Sequence, residues 1–335
     1  MGKTRIFGCL LTLSILASCA GTMTSAPSFI TADEEENTLT KIAGDGTRQT
    51  LTVPIAPHNV QVSADNKWIL ATGMAEGHEH TGHAMVGSLL IIPADSFDEH
   101  SIHSVSLGEH LAHVVTDKSG KTAYVTDSAS NRVAVLDLSS GKVRKWIDVG
   151  IFPHGARINP VTGDLYTANV KDGTMSIVDT HANKEIKRIP VGNSPIQVAI
   201  SKNGKKAYVT LAKDSAVAVV DVVEQHKIKA IAVKDAPAQI YADPLGRYMY
   251  VADQGSKEHP GDSISVIDVK SDTVIKTTNT GNMPHGVVAG LDGEFVYVTN
   301  MGEDTVAQIA TKDFSVVNRY PVGKLPNGIT LLEKN

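Results

Sequence analysis

The sequence predicts an all-β protein, a seven-bladed β-propeller with four-stranded blades closed into a ring. Three columns of residues carry this prediction, because a tyrosine, an aspartate and a proline each recur with a period of about 42 residues. Between the columns, apolar and polar residues alternate in short runs that Gly, Asn and Asp interrupt, a pattern typical of strands and tight turns. Four such runs leave no room for a helix, and the unit has the size of a propeller blade.

The tyrosine column opens one β-type run in each repeat, as in the segment Tyr-Val-Thr-Asp that begins at Tyr124. Its members are Tyr124, Tyr166, Tyr208, Tyr250 and Tyr297, with spacings of 42, 42, 42 and 47 residues. The aspartates close a second run, and the prolines precede a third. Their members are Asp137, Asp179, Asp221 and Asp268, and Pro153, Pro195, Pro237, Pro284 and Pro326.

The starts of the inner strands give the number of blades. Seven starts are predicted, near Pro57, Glu109, Pro153, Pro195, Pro237, Pro284 and Pro326. The last start is followed by one strand only, and its three partners are predicted at the other end of the chain, in residues 29–33, 37–42 and 49–53. A blade shared in this way joins both termini in one sheet and removes a loose edge.

The composition is that of an ordinary globular protein and excludes several function classes. The 335 residues include 31 basic and 36 acidic residues, 41% hydrophobic residues and two cysteines. A collagen, a disordered chain and a disulfide-stapled fold are therefore excluded. A net charge of −5 also argues against a general nucleic-acid-binding protein, which needs a basic surface for phosphates. We expect no nucleic-acid partner, and we expect a monomer.

The first residues predict an export signal. Lys3 and Arg5 precede an apolar run over residues 6–17 that is too short to span a bilayer. The segment Leu-Ala-Ser-Cys that ends at Cys19 resembles the bacterial lipobox, in which the cysteine becomes the lipidated first residue of the mature protein. The resemblance implies a signal peptide over residues 1–18, a lipidated tether over residues 19–27 and a single propeller over residues 28–335. The alternative is that Cys19 is a chance thiol in an ordinary signal peptide.

A lipid anchor at Cys19 would place the protein outside the cytoplasm and on a membrane. In a Gram-negative host we expect the periplasmic face of the outer membrane, because the residue after Cys19 is Ala20 and not the aspartate that retains lipoproteins in the inner membrane. Cys9 would be lost with the signal peptide, which leaves no thiol for a disulfide or a nucleophile.

The repeat also resembles a known family. The unit runs from Pro-x-Gly and an apolar strand through Asp/Asn-Gly-Lys-x-x-Tyr-Val-Thr-Asn to Val-x-Val-x-Asp and a final Val-Gly. This pattern resembles the YVTN repeat of bacterial and archaeal propellers over nearly the whole mature chain. The resemblance implies the fold, whereas propellers of this kind host many unrelated activities.

Histidines recur at the predicted mouth of the central channel. In four of the seven repeats, the residue after the predicted start of the inner strand is a histidine, with Glu109 taken as the start in the second repeat. These residues are His58, His110, His154 and His285. Inner strands converge on the axis, so equivalent side chains face one another and could share an ion or a ligand. The alternative is a duplicated Pro-His-Gly turn whose histidine only hydrogen-bonds backbone. Because His285 lies two blades from His58, a larger ligand or a multinuclear centre would fit the spacing better than one ion.

An insertion brings more histidines to the same face. The first repeat is ten residues longer than the others between Gly73 and Pro93, and this segment contains His78, His80, His83 and Met85. Neutral imidazoles suit copper, zinc and nickel, and a thioether adds a preference for copper. The segment is predicted as an outer cap or a separate capture site, the alternative being a solvated loop rich in histidine.

Polar residues are predicted deeper in the channel. His113 lies three residues after His110, and the same offset from the other channel-mouth positions gives Gln61, Arg157 and Tyr241, while Asn327 takes the mouth position of the last inner strand. These side chains either contact a ligand or fill the channel with hydrogen bonds.

No enzyme motif stands out, since the sequence has no Gly-x-Ser-x-Gly segment, no phosphate-binding glycine loop and no His-Glu-x-x-His. The favoured interpretation is a non-catalytic binding protein that holds a transition metal, copper in preference to zinc, at the channel mouth. The resemblance leaves an enzyme open, because similar propellers include lactone hydrolases, lyases and the copper-holding N-terminal propeller of nitrous oxide reductase. Similar propellers also hold haem d1 through an axial histidine, so a haem-type tetrapyrrole is an alternative cofactor. The third interpretation is a scaffold whose mouth face binds another protein.

Overall fold

The computed structural model describes residue 2, residues 27–75 and residues 86–332. Within this part of the chain there are 28 β-strands and two single-turn 3₁₀ helices, Glu99–Ser101 and Ala212–Asp214. None of the helices in these ranges is long and apolar enough to cross a membrane.

The strands form seven antiparallel sheets of four, and we number the blades by the inner strands along the chain. Blade 1 consists of β4 Ile55–Val62, β5 Trp68–Ala75, β6 Gly87–Pro93 and β7 His103–Gly108. Blade 2 consists of β8 Leu111–Thr116, β9 Thr122–Asp127, β10 Arg132–Asp137 and β11 Lys142–Asp148. Blade 3 consists of β12 Pro153–Ile158, β13 Leu165–Asn169, β14 Thr174–Asp179 and β15 Lys184–Pro190. Blades 4 and 5 are β16 Pro195–Ile200, β17 Lys206–Leu211, β18 Ala216–Asp221 and β19 His226–Ala232; and β20 Pro237–Ala242, β21 Tyr248–Gly255, β22 Pro260–Asp268 and β23 Thr273–Asn279. Blades 6 and 7 are β24 Pro284–Ala289, β25 Phe295–Asn300, β26 Thr305–Ala310 and β27 Ser315–Pro321; and β28 Pro326–Leu332, β1 Ser28–Asp33, β2 Thr38–Ile42 and β3 Arg48–Thr52.

Blade 7 closes the ring with strands from both ends of the chain, as predicted. Strand β1 pairs antiparallel with β28, from Ser28 opposite Leu332 to Asp33 opposite Pro326. Each inner strand contacts the next one around the axis, including β28 with β4. The predicted seven-bladed all-β propeller is therefore confirmed, and both ends of the described propeller are held in one sheet.

The apolar core lies between neighbouring blades. Second and third strands are buried along nearly their whole length, whereas outer strands such as β11 alternate between exposed and half-buried residues. The repeated tyrosines supply the largest buried side chains, with Tyr208, Tyr250 and Tyr297 fully inaccessible. A sheet face packed on both sides reads as a continuous apolar run, which is why these strands are rich in Val, Ile and Ala.

A column of buried Asp and Asn residues ends the second strands. Asp253 accepts hydrogen bonds from the hydroxyls of Ser263 and Ser265, and the Asn169 amide donates to Thr174 and Ser176. The hydroxyls come from the third strand of the same blade, so each column residue ties two strands together at the channel-mouth face.

Candidate metal centre at the channel mouth

Strand pairing shows which residues are equivalent at the start of each inner strand. Pro153 lies opposite Asn169 and Pro237 opposite Asp253, and in blade 2 the residue opposite Asp127 is Leu111. The start predicted at Glu109 is therefore two residues early. Ala112 takes the position that histidines occupy in other blades, and His110 lies before the strand.

A glycine column explains this register. Gly108 and Gly150 each lie three residues before the strand start and pack on the Asp or Asn that ends the second strand. A Cβ atom at Gly108 would collide with the Asp127 carboxylate, and one at Gly150 would collide with the Asn169 amide. Gly108 therefore has no room for a side chain beside Asp127, and it marks the alignment of blade 2, which lacks the proline.

His110 consequently lies apart from the other mouth histidines. Its ring is half-buried against Phe152, with ring centroids 5.5 Å apart. Burial lowers the pKa of His110, with a further contribution from His58.

His113 is brought to the mouth by the corrected register. Its backbone N–H donates to Thr126 Oγ1, as that of Gln197 donates to Thr210 Oγ1, so His113 and Gln197 are equivalent. The sequence analysis took His113 as equivalent to Gln61, Arg157 and Tyr241, and this was wrong by two residues. Those three side chains lie two residues further along their strands and therefore deeper in the channel. Side chains two residues apart on a strand point to the same side, so both sets face the axis.

Three imidazoles from three successive blades meet at one point. His58, His113 and His154 each offer a ring nitrogen, and these nitrogens all lie within 4.8 Å of one another. The closest pair is His58 Nε2 and His154 Nε2, at 3.2 Å. The rings of His58 and His154 pack edge to face with centroids 5.3 Å apart, and the rings of His113 and His154 are tilted at 60° with centroids 5.0 Å apart.

The protein fixes the far side of the His154 ring. Its Nδ1 lies 3.2 Å from the carbonyl oxygen of Ile196, and a carbonyl can only accept, so Nδ1 carries the proton. The lone pair of Nε2 is then directed at His58. Burial, together with the neighbouring His58, lowers the pKa of His154 to about 3, so this ring is neutral at pH 7.

An amide and a carboxylate stand behind His58. Asn327 Nδ2 lies 3.0 Å from His58 Nδ1 and donates to Glu34 Oε2 at 2.6 Å, and Glu34 Oε2 is itself 3.7 Å from His58 Nδ1. Burial opposes ionisation of Glu34, but the contacts with His58 and Asn327 outweigh it and lower the pKa of the carboxyl group. The negative charge of Glu34 therefore lies next to His58, on the side of the ring that faces away from His154. There it favours the binding of a cation.

His113 forms the floor of the cluster and is held by two glutamines. The Val198 N–H donates to Gln197 Oε1, so Gln197 Nε2 donates to Gln239 Oε1, and Gln239 Nε2 lies 3.1 Å from His113 Nε2. This chain of amides ends in a donor, which suits a neutral ring. Burial is the main reason that the pKa of His113 lies well below its ordinary value.

His285 shares the mouth position but not the cluster. Its Nδ1 lies 3.1 Å from the backbone carbonyl oxygen of Asn327, and the ring is 7% exposed. Burial lowers the pKa of His285 to about 4, with a further contribution from His58. Only two members of the predicted four-histidine ring, His58 and His154, thus belong to the group of three.

The other predicted site residues fall in two places. Gln61, Arg157 and Tyr241 line the channel below His113, on the side away from the mouth. The predicted capping histidines, Met85 and the lipidation site lie outside the described residues: His78, His80, His83, Met85 and Cys19.

Sequence reasoning missed Glu34, Gln197 and Gln239. Aligning blade 2 on Gly108 and blades 4 and 5 on Pro195 and Pro237 would have placed both glutamines level with His113. Glu34 carries no signal of this kind, because it lies in the turn between β1 and β2 and reaches the mouth only through closure of blade 7.

Comparison with known proteins identifies the architecture. Residues 176–334 match the model of the YNCE-like beta-propeller family. No curated protein matches the chain at a significant level. Among solved structures, Kuenenia stuttgartiensis hydrazine synthase is similar with a TM-score of 0.70 and 18% identity, over 82% of this chain and 89% of that chain.

Two further structures are similar over most of this chain. A candidate 6-phosphogluconolactonase from Bacteroides fragilis has a TM-score of 0.70 and 13% identity, over 93% of this chain and 99% of that chain. The dihydro-heme d1 dehydrogenase NirN, in complex with DHE, has a TM-score of 0.65 and 14% identity, over 91% of this chain and 75% of that chain. Likeness at these identities concerns the fold. The family match covers its C-terminal part and its repeats resemble the YVTN repeat, and with seven closed blades of four strands this chain is a seven-bladed β-propeller.

Proposed function

We propose that this propeller binds a transition-metal ion through His58, His113 and His154 at the mouth of its central channel. The observation that carries the proposal is the 3.2 Å between His58 Nε2 and His154 Nε2. Two nitrogens that share a tetrahedral ion at about 2.0–2.1 Å stand about 3.3–3.4 Å apart. The two rings therefore have almost the separation that a shared ion requires.

The charges around the cluster support a cation. Metal ions bind the neutral imidazole, and burial keeps His154 and His113 neutral, so protons do not compete with the ion at these two rings at pH 7. The second nitrogen of a ligating histidine usually donates to a carboxylate or a carbonyl, and Glu34 and the Ile196 carbonyl stand in these places. To bind the ion, His113 and His58 must each change an amide contact, because Gln239 Nε2 lies 3.1 Å from His113 Nε2 and Asn327 Nδ2 lies 3.0 Å from His58 Nδ1.

Copper is the metal that we favour. Three imidazoles without a thiolate suit copper, zinc and nickel, and divalent copper binds nitrogen sites more tightly than the other divalent first-row ions do. The segment containing His78, His80, His83 and Met85 adds imidazoles and a thioether to the sequence between β5 and β6. We propose that this segment captures or caps the ion.

The test compares the purified protein with a variant built from the repeats themselves. Each cluster histidine is replaced by a residue that an equivalent position already holds: His58→Asn as in Asn327, His113→Gln as in Gln197, and His154→Ile as in Ile196. A control variant changes three exposed histidines to glutamine, at His100, His181 and His226. Metal content by elemental analysis and visible spectra during titration with copper, zinc and haem give the readout.

We expect stoichiometric copper in the parent and the control, and none in the repeat-matched variant. Equal uptake by the parent and the repeat-matched variant would contradict the proposal. A Soret band that depends on the cluster histidines would instead identify a tetrapyrrole as the ligand. Circular dichroism shows whether all three proteins are folded.

We further propose that the protein is exported and anchored to a membrane through a lipid on Cys19. The support is the lipobox-like segment that ends at Cys19. Expression of the full chain followed by membrane fractionation tests this, with Cys9→Ala as the matched control. We expect Cys19→Ala to release the protein into the soluble fraction and Cys9→Ala to leave it on the membrane. A parent found only in the soluble fraction would refute the anchor.

A further inference from the structure

The channel holds a second polar site below the histidine floor. A cavity of about 210 Å³ extends from His113 to the turn after β4 and to Leu291 in the turn after β24, so it faces the side of the ring opposite the mouth. The amides of Asn59 and Gln61 line it together with the Arg157 side chain. Among the described residues around this cavity none is acidic.

Arg157 is a half-buried cation without an anionic partner in the described part of the chain. Its guanidinium makes no ion pair with any described carboxylate at up to 4.0 Å, and its recorded neighbour is the ring of Tyr241, 5.3 Å away. An arginine keeps its proton in proteins, so burial leaves a positive charge whose solvation is incomplete. A cation–π contact offsets only part of this cost.

An apolar vestibule adjoins the polar cavity. A second cavity of about 270 Å³ shares Arg157, Tyr241 and Leu291 with the first, and its remaining wall is mostly apolar. The apolar lining consists of Ile158, Pro160, Ala199, Ile200, Ala242 and Pro244. At its edge Leu291 is 66% exposed.

We propose that this end of the channel binds a small organic carboxylate, with its charged group on Arg157 and its apolar group in the vestibule. Guanidinium pairs with carboxylate through two parallel hydrogen bonds, which gives both charge and direction. Both cavities are smaller than the roughly 300–1,000 Å³ of sites for drug-sized ligands, so the ligand is a short aliphatic or single-ring acid. The site uses none of the cluster histidines as a ligand and does not depend on the metal proposal.

Calorimetric titration of the purified protein with hexanoate, butyrate and neutral hexanol tests this site. The key variant is Arg157→Gln, which reproduces Gln61 at the equivalent position of blade 1, and the matched control is Lys202→Gln at the exposed edge of the vestibule. We expect hexanoate to bind the parent and the control alike, and to bind Arg157→Gln roughly 10- to 100-fold more weakly. Each methylene removed from the acid should weaken binding about fourfold.

Three outcomes would overturn the proposal. They are equal binding of hexanoate and hexanol, equal binding to the parent and the Arg157→Gln variant, and loss of binding in the Lys202→Gln variant alone, which would indicate a surface ion pair. Inorganic phosphate is the remaining probe. If it binds as tightly as hexanoate and the length of the acid has no effect, the site takes a bare anion, and the apolar part of the proposal is wrong. Thermal unfolding of each variant confirms that the fold is retained.

Discussion

The two ends of the central channel differ in how burial acts on their bases. At the mouth, burial lowers the pKa of His154 to about 3 and holds His113 neutral, so lone pairs gather around one point next to the Glu34 carboxylate. At the opposite end, burial lowers the pKa of Arg157 as well, but a guanidinium starts so high that it keeps its charge. On our two proposals, the same environment gives one end of the channel that binds a cation and one that binds an anion, with the ring of His113 between them.

This contrast teaches that the ordinary pKa of a group decides what burial makes of it. Burial leaves a histidine neutral, with a lone pair that can bind a metal ion, whereas it leaves an arginine charged and incompletely solvated. The predictions below test whether the two ends behave as opposites.

The largest effect should come from two histidines that occupy equivalent positions. His154→Phe removes a nitrogen that lies 3.2 Å from His58 Nε2, and we expect copper affinity to fall by more than about 100-fold. His285→Phe removes an equally buried ring outside the group of three, and we expect less than about a threefold change. Competition with a chromophoric chelator measures both. Equal losses would favour the four-histidine ring that the sequence suggested.

A smaller loss should follow removal of the carboxylate behind His58. Glu34→Gln keeps the shape of the side chain but removes the charge that supports the ligand, and we expect copper affinity to fall about 10- to 100-fold. The neighbouring exposed Glu35→Gln is the control and should bind like the parent. An equal copper affinity of the parent and the Glu34→Gln variant would show that the carboxylate only accepts a hydrogen bond from Asn327.

The mouth should also destabilise the metal-free fold in acid. A folded pKa of about 3 for His154, below the ordinary value of 6.5, means that the unfolded chain binds more protons between these values, so stability is lost as pH falls through this window. We expect His154→Phe to abolish about 2 kcal/mol of the change between pH 6.5 and pH 4.5. Chemical denaturation of both proteins gives the difference. The comparison of the two proteins is needed because burial raises the pKa of Asp253 to about 7 in both of them. This group changes stability with pH in the opposite sense, and its contribution cancels in the difference.

The smallest effect should come from the opposite end, and it should be a gain. Arg157→Met replaces a half-buried cation that has no described ion-pair partner by an apolar side chain of similar length, and we expect unfolding in the absence of ligand to cost about 1 kcal/mol more. Urea denaturation measures this, with Arg188→Met on the exposed outer strand as the control. A clear loss of stability in Arg157→Met would show that the guanidinium already has the partners it needs.

The repeats made most of the fold predictable. Tyr208, Tyr250 and Tyr297 recur because each fills the same gap between two blades, and a column with one packing role leaves one period in the sequence. The closure of blade 7 was predictable for the same reason, since Ser28–Asp33 repeats the pattern of Phe295–Asn300. The error at Glu109 arose where blade 2 lacks the proline and Gly108 alone marks the register.

The candidate site was predictable only in part, because its members do not share one column. His58 and His154 lie at the strand starts, whereas His113 comes from one residue further along its own strand. The carboxylate of Glu34 comes from the turn after β1, which is distant in sequence from all three. Repetition reveals positions that blades share, whereas a site on the axis is built from the positions in which blades differ.

The sequence by itself therefore determined the all-β class, the seven blades, the shared closing blade and the enrichment of histidine at the channel mouth. Each of these follows from local pattern and period, which a chain displays without folding. Only the tertiary structure decided which histidines meet, which carboxylate lies behind them and that Arg157 lies half-buried in the channel without an acidic partner among the described residues. These facts depend on distances across the axis, and the axis exists only once the ring has closed.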